Sequence, residues 1–410
     1  MIPVMDVQTA LRTVISLVPN WYVADCGPFK HILRAGEETV EFFSHRRLTP
    51  ELNDLITHAR EDLPRLLSVS VDLPSVTAVN YIQEHFAKVW LRLRSPDINW
   101  EKLLDYLSAV SDRTYENQRV SYNFVIGEGE GSLSITDGRI QKIFDPLATS
   151  MHTFIKLNKD IEFAGYEEIR WEEIKDTQEY KFYPEFLQPI AGNLRPSEYS
   201  VHQTLRGDLV IMNAAGMVAA KRKGRWKLYD VNTFKNSIVD AIVDTVEGTR
   251  TQDYRVGCNL FEIMFDLSFK RHGALLVYDP NRRVLERVRN RGSIIAGQEA
   301  DQAHSLLAPV IRGIQMRSRP HHSRKKRLLL EIASMDGAVL FTPTEVLAFG
   351  AMIDQHENAG NETGARSTAA RSALYWGGLP IKVSADGEIS IYFRSYGRPG
   401  GSCEAQLEFL

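Results

Sequence analysis

Two short stretches near the carboxyl end combine the residue types that phosphate chemistry needs. Asp336-Gly337-Ala338 sets a carboxylate at the mouth of the apolar run Ala338 to Phe341, the pattern of a strand with an acid at its entrance. A second apolar segment, Val346 to Met352, follows the turn at Pro343 and reads as a short helix or a second strand. After a loop rich in Gly, Asn and Glu, Gly364-Ala365-Arg366-Ser367-Thr368 opens a small-residue helix that also carries Arg371. Such a helix start offers backbone N–H groups, two hydroxyls and a guanidinium to an anion. An acid that holds a divalent cation and an arginine that neutralises phosphate charge are the minimum for metal-dependent phosphoryl transfer. The same residues have ordinary uses, since Asp-Gly is a common turn and Arg366 can sit solvated at a helix end.

In order and spacing, Asp336-Gly337-Ala338, Gly364-Ala365-Arg366 and the closing Val383-Ser384-Ala385-Asp386-Gly387-Glu388-Ile389-Ser390 resemble the diadenylate cyclase domain. Upstream, Leu267-Ser268-Phe269-Lys270-Arg271-His272-Gly273-Ala274-Leu275-Leu276-Val277 is similar to that family's first helix and strand. The resemblance covers roughly the last third of the chain. It implies a mixed sheet flanked by helices that binds one ATP, or a related adenine nucleotide, and meets a second copy face to face. It also implies that Mg²⁺ or Mn²⁺ assists attack of each ribose 3′-hydroxyl on the other nucleotide's α-phosphate, giving cyclic di-AMP and pyrophosphate. On this resemblance Asp336 is the metal- and hydroxyl-handling acid and Arg366 the electrostatic clamp. Gly337, Ala338, Gly364, Ala365, Ser367 and Thr368 then border the nucleotide.

The family's Arg-His-Arg motif falls on Arg366-Ser367-Thr368, so only its first arginine is present. Exchanging a histidine and a guanidinium for two hydroxyls removes up to two positive charges beside a polyanion. At ~1.5–3 kcal/mol for each charge-assisted contact, the loss reaches several orders of magnitude in rate unless something replaces it. Arg371, a little over one turn further along the same helix, is the candidate for a partial replacement.

These residues need a scaffold, and the chain is long enough to supply one. At 410 residues, two or three domains are expected, and 43% hydrophobic with 25% charged residues marks a globular protein with real cores. A net charge of -3 gives no global case for nucleic-acid binding. Cys26, Cys258 and Cys403 match no zinc or disulfide spacing and are expected to be reduced, in a cytoplasmic setting. The amino-terminal apolar segment is broken by Asp6 and Arg12 without a preceding basic residue, so no signal peptide is expected, and no apolar run reaches the length of a membrane span. Many diadenylate cyclases carry membrane helices; this chain is expected not to.

Up to about Ser121 the pattern is mostly helical. Glu51 to Leu67, Val76 to Leu93 and Trp100 to Tyr115 place apolar residues three and four apart, with Pro64, Pro74 and Pro96 as punctuation. Phe86, Val89, Trp90 and Leu93 form a stripe suited to core packing. From Val120 the period changes, and Val120 to Ile126, the glycine-alternating joint Gly127 to Gly131, and Ser132 to Thr136 read as a β-hairpin. The two glutamates of that joint argue against a phosphate loop. Lys156 to Pro196 interleaves charges with Phe163, Tyr166, Trp171, Tyr180, Phe182, Tyr183 and Phe186, as a mixed α/β wall or a base-stacking surface does.

Asp208 to Met212 and Met217 to Ala220 read as a second hairpin, followed by the basic run Lys221 to Lys227, expected to be solvated, and a helix Val231 to Val243. Beyond a polar joint, Glu247 to Asp253, come an amphipathic helix from Cys258 to Lys270, a buried strand from Gly273 to Tyr278 and a helix from Asp301 to Ile314. Arg317 to Arg327 is densely basic, either a solvated loop or a surface for triphosphate or an acidic partner, and His321 and His322 lack further ligands at metal-site spacing.

The expected fold class is α/β (α+β). A mixed sensor or regulatory region occupies residues 1–246, helical over 1–119 and α/β over 120–246, and the cyclase-like domain occupies 254–398. The expected function is a divergent diadenylate-cyclase-like nucleotidyltransferase that condenses ATP with a divalent metal and acts as a face-to-face oligomer under control of the amino-terminal region. Two alternatives are a degenerate nucleotide or cyclic-dinucleotide sensor on the same fold, and a module that only mediates assembly.

Overall fold

The structure, a computed structural model, describes residues 5–23, 28–70, 73–115, 117–147, 153–169, 184–230, 238–242, 245, 253–297, 300–316, 324–360, 364–395 and 403–408. It is a mixed α/β fold with mixed sheets flanked by helices. Helices α1 (Val7–Ser16), α2 (Pro50–Ser70), α3 (Ser75–Arg94) and α4 (Trp100–Val110) arise where the 3.6-residue apolar period is cleanest. Asp6 caps α1 by accepting from the Thr9 N–H at 2.6 Å, and Asn99 caps α4 through the Lys102 N–H at 3.1 Å. Phe86, Val89 and Trp90 are buried as the stripe requires, with Leu93 packed at their edge.

Three details of the helical reading need correction. Residues 1–119 are not wholly helical, because Phe29–Ala35 (β1) and Glu38–Ser44 (β2) form an antiparallel hairpin around Gly36. The helix expected over Glu51 to Leu67 runs on to Ser70 with Pro64 inside it. The helix begun at Trp100 stops at Val110, and Thr114–Tyr115 (β3) pairs with Gln118–Arg119 (β4).

Among the described residues, seven strands make the first large sheet: Tyr122–Ile126 (β5), Thr153–Leu157 (β6), Phe163–Glu168 (β7), Tyr199–Gln203 (β8), Leu209–Asn213 (β9), Gly216–Arg222 (β10) and Arg225–Leu228 (β11). Their order is β11-β10-β9-β8-β5-β6-β7. The hairpin expected over residues 120–136 does not form. Both edges of β5 are taken by distant strands, β6 in parallel and β8 antiparallel, and residues 132–136 contribute an isolated bridge, Ser134 to Glu162. Non-local pairing has overridden a local turn signal. Helices α5 (Gly138–Leu147) and α6 (Gln188–Asn193) join these strands.

The basic run from Lys221 is also corrected: Arg222 and Lys227 are buried and Lys221 pairs with Glu84 at 2.8 Å, while Lys223 and Arg225 stay at the surface. Both faces of β10 and of β11 are covered, since successive side chains are buried along most of each strand, so charge had to be satisfied inside.

The carboxyl-terminal half opens with α7 (Asp253–Phe269), then β12 (Ala274–Tyr278), α8 (Gln302–Ile311, capped by Asp301), α9 (Arg324–Ala333), β13 (Ala338–Phe341), β14 (Val346–Ala351), α10 (Ala365–Tyr375), β15 (Leu379–Val383), β16 (Ile389–Ser395) and β17 (Cys403–Glu408). The sheet order is β14-β13-β12-β15-β16-β17. The expected helix and strand either side of Gly273 are present, but α7 is not amphipathic in the surface sense. Its residues Val256, Leu260, Phe261, Met264, Phe265 and Leu267 are buried in one cluster with Val210, Met212 and Ala220 of the first sheet and Leu276, Ile381 and Ile391 of the second. The polar joint 247–252, most of the helix expected over 231–243, the aromatics of 170–183 and the histidines of 317–323 lie outside the described residues.

The two large sheets repeat one topology. In each, a central strand pairs in parallel with the next strand and antiparallel with a later one: β5 with β6 and β8, β12 with β13 and β15. The parallel partner continues into an antiparallel edge strand, β7 or β14, and the other side extends antiparallel through β9 and β10, or β16 and β17. Among the central strands the register agrees residue for residue. Phe124 faces Ile155 and Val201, as Leu276 faces Val339 and Ile381.

Even the five-residue turns match. Thr204 N donates to Asp208 O at 2.9 Å and Gly207 N to Thr204 O at 2.9 Å; Ser384 N donates to Glu388 O at 2.8 Å and Gly387 N to Ser384 O at 2.7 Å. Gly207 and Gly387 both take positive φ, 80° and 91°. The two turns are tied together by two arginines, Arg222 buried and Arg271 partly exposed. Asp208 accepts from Arg222 at 3.3 Å and from Arg271 at 2.9 Å, while Arg222 donates to the Gly387 carbonyl at 3.1 Å and Arg271 to that of Asp386.

Candidate functional site

Asp336 stands on the turn that enters β13, and that turn requires glycine next to it. Gly337 has φ 100°, and a Cβ there would stand 2.4 Å from the Gly350 carbonyl carbon. The Asp336 side chain is fully exposed. At the start of α10, Gly364 is the N-cap with φ 106° and supplies no side-chain cap, and Ser367 N and Thr368 N donate to its carbonyl at 3.1 and 3.2 Å. From the first turn of that helix Arg366 reaches back to Asp336, Nη2 to Oδ1, at 3.3 Å.

The guanidinium also rests on the entrance to β12. A Cβ built at Gly273 would stand 2.4 Å from Arg366 Nη1 and 3.3 Å from the Ala385 amide nitrogen. Four separate stretches therefore meet at one place: the turn at Asp336, the helix start at Gly364 to Arg366, the entrance glycine of β12, and the turn after β15. The acid and the start of α10 are on one surface, side by side.

The remaining predicted residues divide between that surface and the interior. Ala338 is buried in β13, and Ala365 is exposed at the first helical position. Ser367 is buried, and its hydroxyl accepts from Lys382 Nζ at 3.1 Å; the Thr368 hydroxyl donates to the Gly364 carbonyl at 3.4 Å. Both hydroxyls are thus engaged within the protein. Arg371 lies further along α10, where its charge acts on Tyr375, whose hydroxyl donates to Glu404 at 3.0 Å. Two neighbours were not found by sequence reasoning. Gly273 carries no side-chain signal, and Lys382 is brought to the helix start by strand alternation that only the sheet register reveals.

Among the described residues no three His, Cys, Asp or Glu side chains gather into a metal cage. The donor set here is the single Asp336 carboxylate. That fits a cation such as Mg²⁺ or Mn²⁺ only where phosphate oxygens and waters complete its shell, the ordinary way Mg²⁺ is held beside nucleotides.

No family model matches the chain, and no curated protein matches it. Solved structures similar to it include a hypothetical membrane spanning protein from Bacillus cereus, 17% identical, covering 39% of this chain and 70% of that one at a TM-score of 0.25. Another is DacA from Staphylococcus aureus in a double-mutant form, 17% identical, covering 37% of this chain and 87% of that one at a TM-score of 0.21. Both likenesses are partial and distant. The expected cytoplasmic location is corrected: one of these structures is described as membrane spanning. Among the described residues no helix is long and apolar enough to cross a membrane, which by itself assigns no compartment.

Proposed function

We propose that the carboxyl-terminal half binds the phosphate tail of an adenine nucleotide across Asp336 and Arg366 and is a divergent diadenylate-cyclase-like nucleotidyltransferase. The observation that carries this reading is the 3.3 Å contact between the two side chains, with Gly273 making room for the guanidinium. Without ligand, Arg366 neutralises Asp336. A phosphate offers the guanidinium a stronger bidentate partner and releases the carboxylate for a hydroxyl or a cation. The N–H groups of the α10 start add dipolar stabilisation to the same oxygens. Mg²⁺ or Mn²⁺ bound by Asp336 and the phosphates would supply further charge neutralisation.

In the reaction a ribose 3′-oxygen forms a bond to the α-phosphorus of a second nucleotide, the bond to pyrophosphate breaks, and the hydroxyl proton passes to Asp336 or to water. Two nucleotides must face each other, so activity requires pairing of two copies, which the open position of Asp336 permits. Lys382, beside Ser367, restores one of the two positive charges that the helix start lacks.

Mass spectrometry after incubation with ATP and Mn²⁺ tests the reading. A cyclic dinucleotide and pyrophosphate are expected, with product lost in Asp336→Asn. Arg366→Ala is expected to weaken nucleotide binding by about 1.5–3 kcal/mol. Binding without pyrophosphate release rejects the enzyme. It would favour a second reading, a nucleotide sensor, which the inward engagement of the Ser367 and Thr368 hydroxyls supports. Absence of any binding rejects both.

A further inference from the structure

The repeated topology makes it possible to ask what stands at the corresponding corner of the first sheet. Counting along the matched registers, Ser121 takes the place of Gly273, His202 that of Lys382, and Leu205 that of Ala385. All three line one cavity of about 550 Å³. Phe186, on the short helical segment before α6, also lines it, as Arg366 at the start of α10 borders the second corner; each of these helices connects the edge strand to the strand with His202 or Lys382. The two corners differ in one respect. The second is open at Asp336, whereas the first is walled by Phe269 and Lys270 at the end of α7 and by Arg327 of α9.

The chemistry of this wall is specific. Phe186 and Phe269 meet with ring centroids 5.5 Å apart, and Arg222 covers Phe269 at 4.6 Å. That leaves an aromatic surface facing the cavity. Arg206, Lys270 and Arg327 border it, and none of the three forms an ion pair among the described residues. The carboxylates that also line it are paired, Asp208 with Arg222 and Arg271, and Asp266 with Lys326 at 2.9 Å, a lysine that also reaches Glu262 at 3.6 Å. An apolar, ring-lined chamber with uncompensated positive charge at its border suits an anion that carries a planar ring. His202 is buried but lines the cavity, bonded through Nδ1 to Asn123, and burial pushes its pKa down to about 4, so at neutral pH it adds a polar contact and no charge.

We propose that the first sheet holds a second ligand site in this cavity, for a planar aromatic anion of the nucleoside monophosphate class. The ring lies on Phe186 and Phe269, and the phosphate meets Arg206 and Lys270, with Arg327 beside them. The inference rests on the repeat and on the cavity, and is independent of what binds at Asp336.

Calorimetric titration of the full chain with AMP and with inorganic phosphate tests it, using wild type, Arg366→Ala and the double variant Arg206→Ala/Lys270→Ala. Both residues of the double variant are exposed, and its thermal melting is recorded beside the wild type. AMP is expected to bind Arg366→Ala with one equivalent per chain, and at least tenfold more weakly when the double variant is combined with Arg366→Ala. Phosphate alone is expected to bind at least tenfold more weakly than AMP. The proposal is overturned if Arg366→Ala binds no AMP, if the double variant combined with Arg366→Ala binds it as Arg366→Ala alone does, or if phosphate binds as tightly as AMP. Failure of AMP at Asp336 would leave the first of these outcomes unchanged, so the two sites are judged separately.

Discussion

His202 shows how strongly position decides the behaviour of one side chain. It is buried in β8, its ring 5.4 Å from Phe186, and desolvation holds its pKa at about 4 against an ordinary 6.5. Between these two values the unfolded chain binds a proton at His202 that the folded chain refuses. Stability therefore falls as pH is lowered from 6.5 towards 4, by at most about 3 kcal/mol from this group. Urea midpoints at pH 7 and pH 4.5 check this, and His202→Gln is expected to show the smaller drop between them. Asp336 and Arg366 were legible as a pair because each sits in a short motif whose meaning is local. Gly273 and Lys382 were not, because what matters about them is which strand passes alongside, and no run of neighbouring residues encodes that.

At the scale of elements, the turn before β13 is where geometry is least forgiving. Gly337→Ala places a methyl group 2.4 Å from the backbone of Gly350 in a conformation that side chains avoid. The backbone conformation alone is expected to cost about 1–3 kcal/mol. Thermal denaturation measures this, and a variant that melts with wild type would contradict it. The helices α2, α3 and α4 and the hairpin of β9 and β10 could be read from apolar period and turn residues, which act within one stretch, and β12 from its unbroken apolar run, although its partners lie at residues 338–341 and 379–383. The partners of β5 could not, since they are recruited from residues 153–157 and 199–203. The same is true of Arg222, whose burial inside a run of surface-like charges depends on Asp208, Ser268 and Gly387 arriving from elsewhere.

For the molecule as a whole, the repeat was invisible in the sequence because the two copies share pairing and register but few residues. Thr204-Leu205-Arg206-Gly207-Asp208 and Ser384-Ala385-Asp386-Gly387-Glu388 form the same turn, yet glycine is the only residue they share at a matching position. One apolar cluster nevertheless runs through both sheets by way of α7. Urea unfolding is therefore expected to be a single transition, with amide protection in β9 and β15 lost at the same denaturant concentration. Two separated midpoints would show that the cluster does not couple the halves. Helix α7 behaves as a spindle common to both sheets, and its last turn runs directly into Lys270 and then Gly273. A sideways slip of that spindle would be felt at both corners together, so the chain has little means of loosening one compartment while the other stays still.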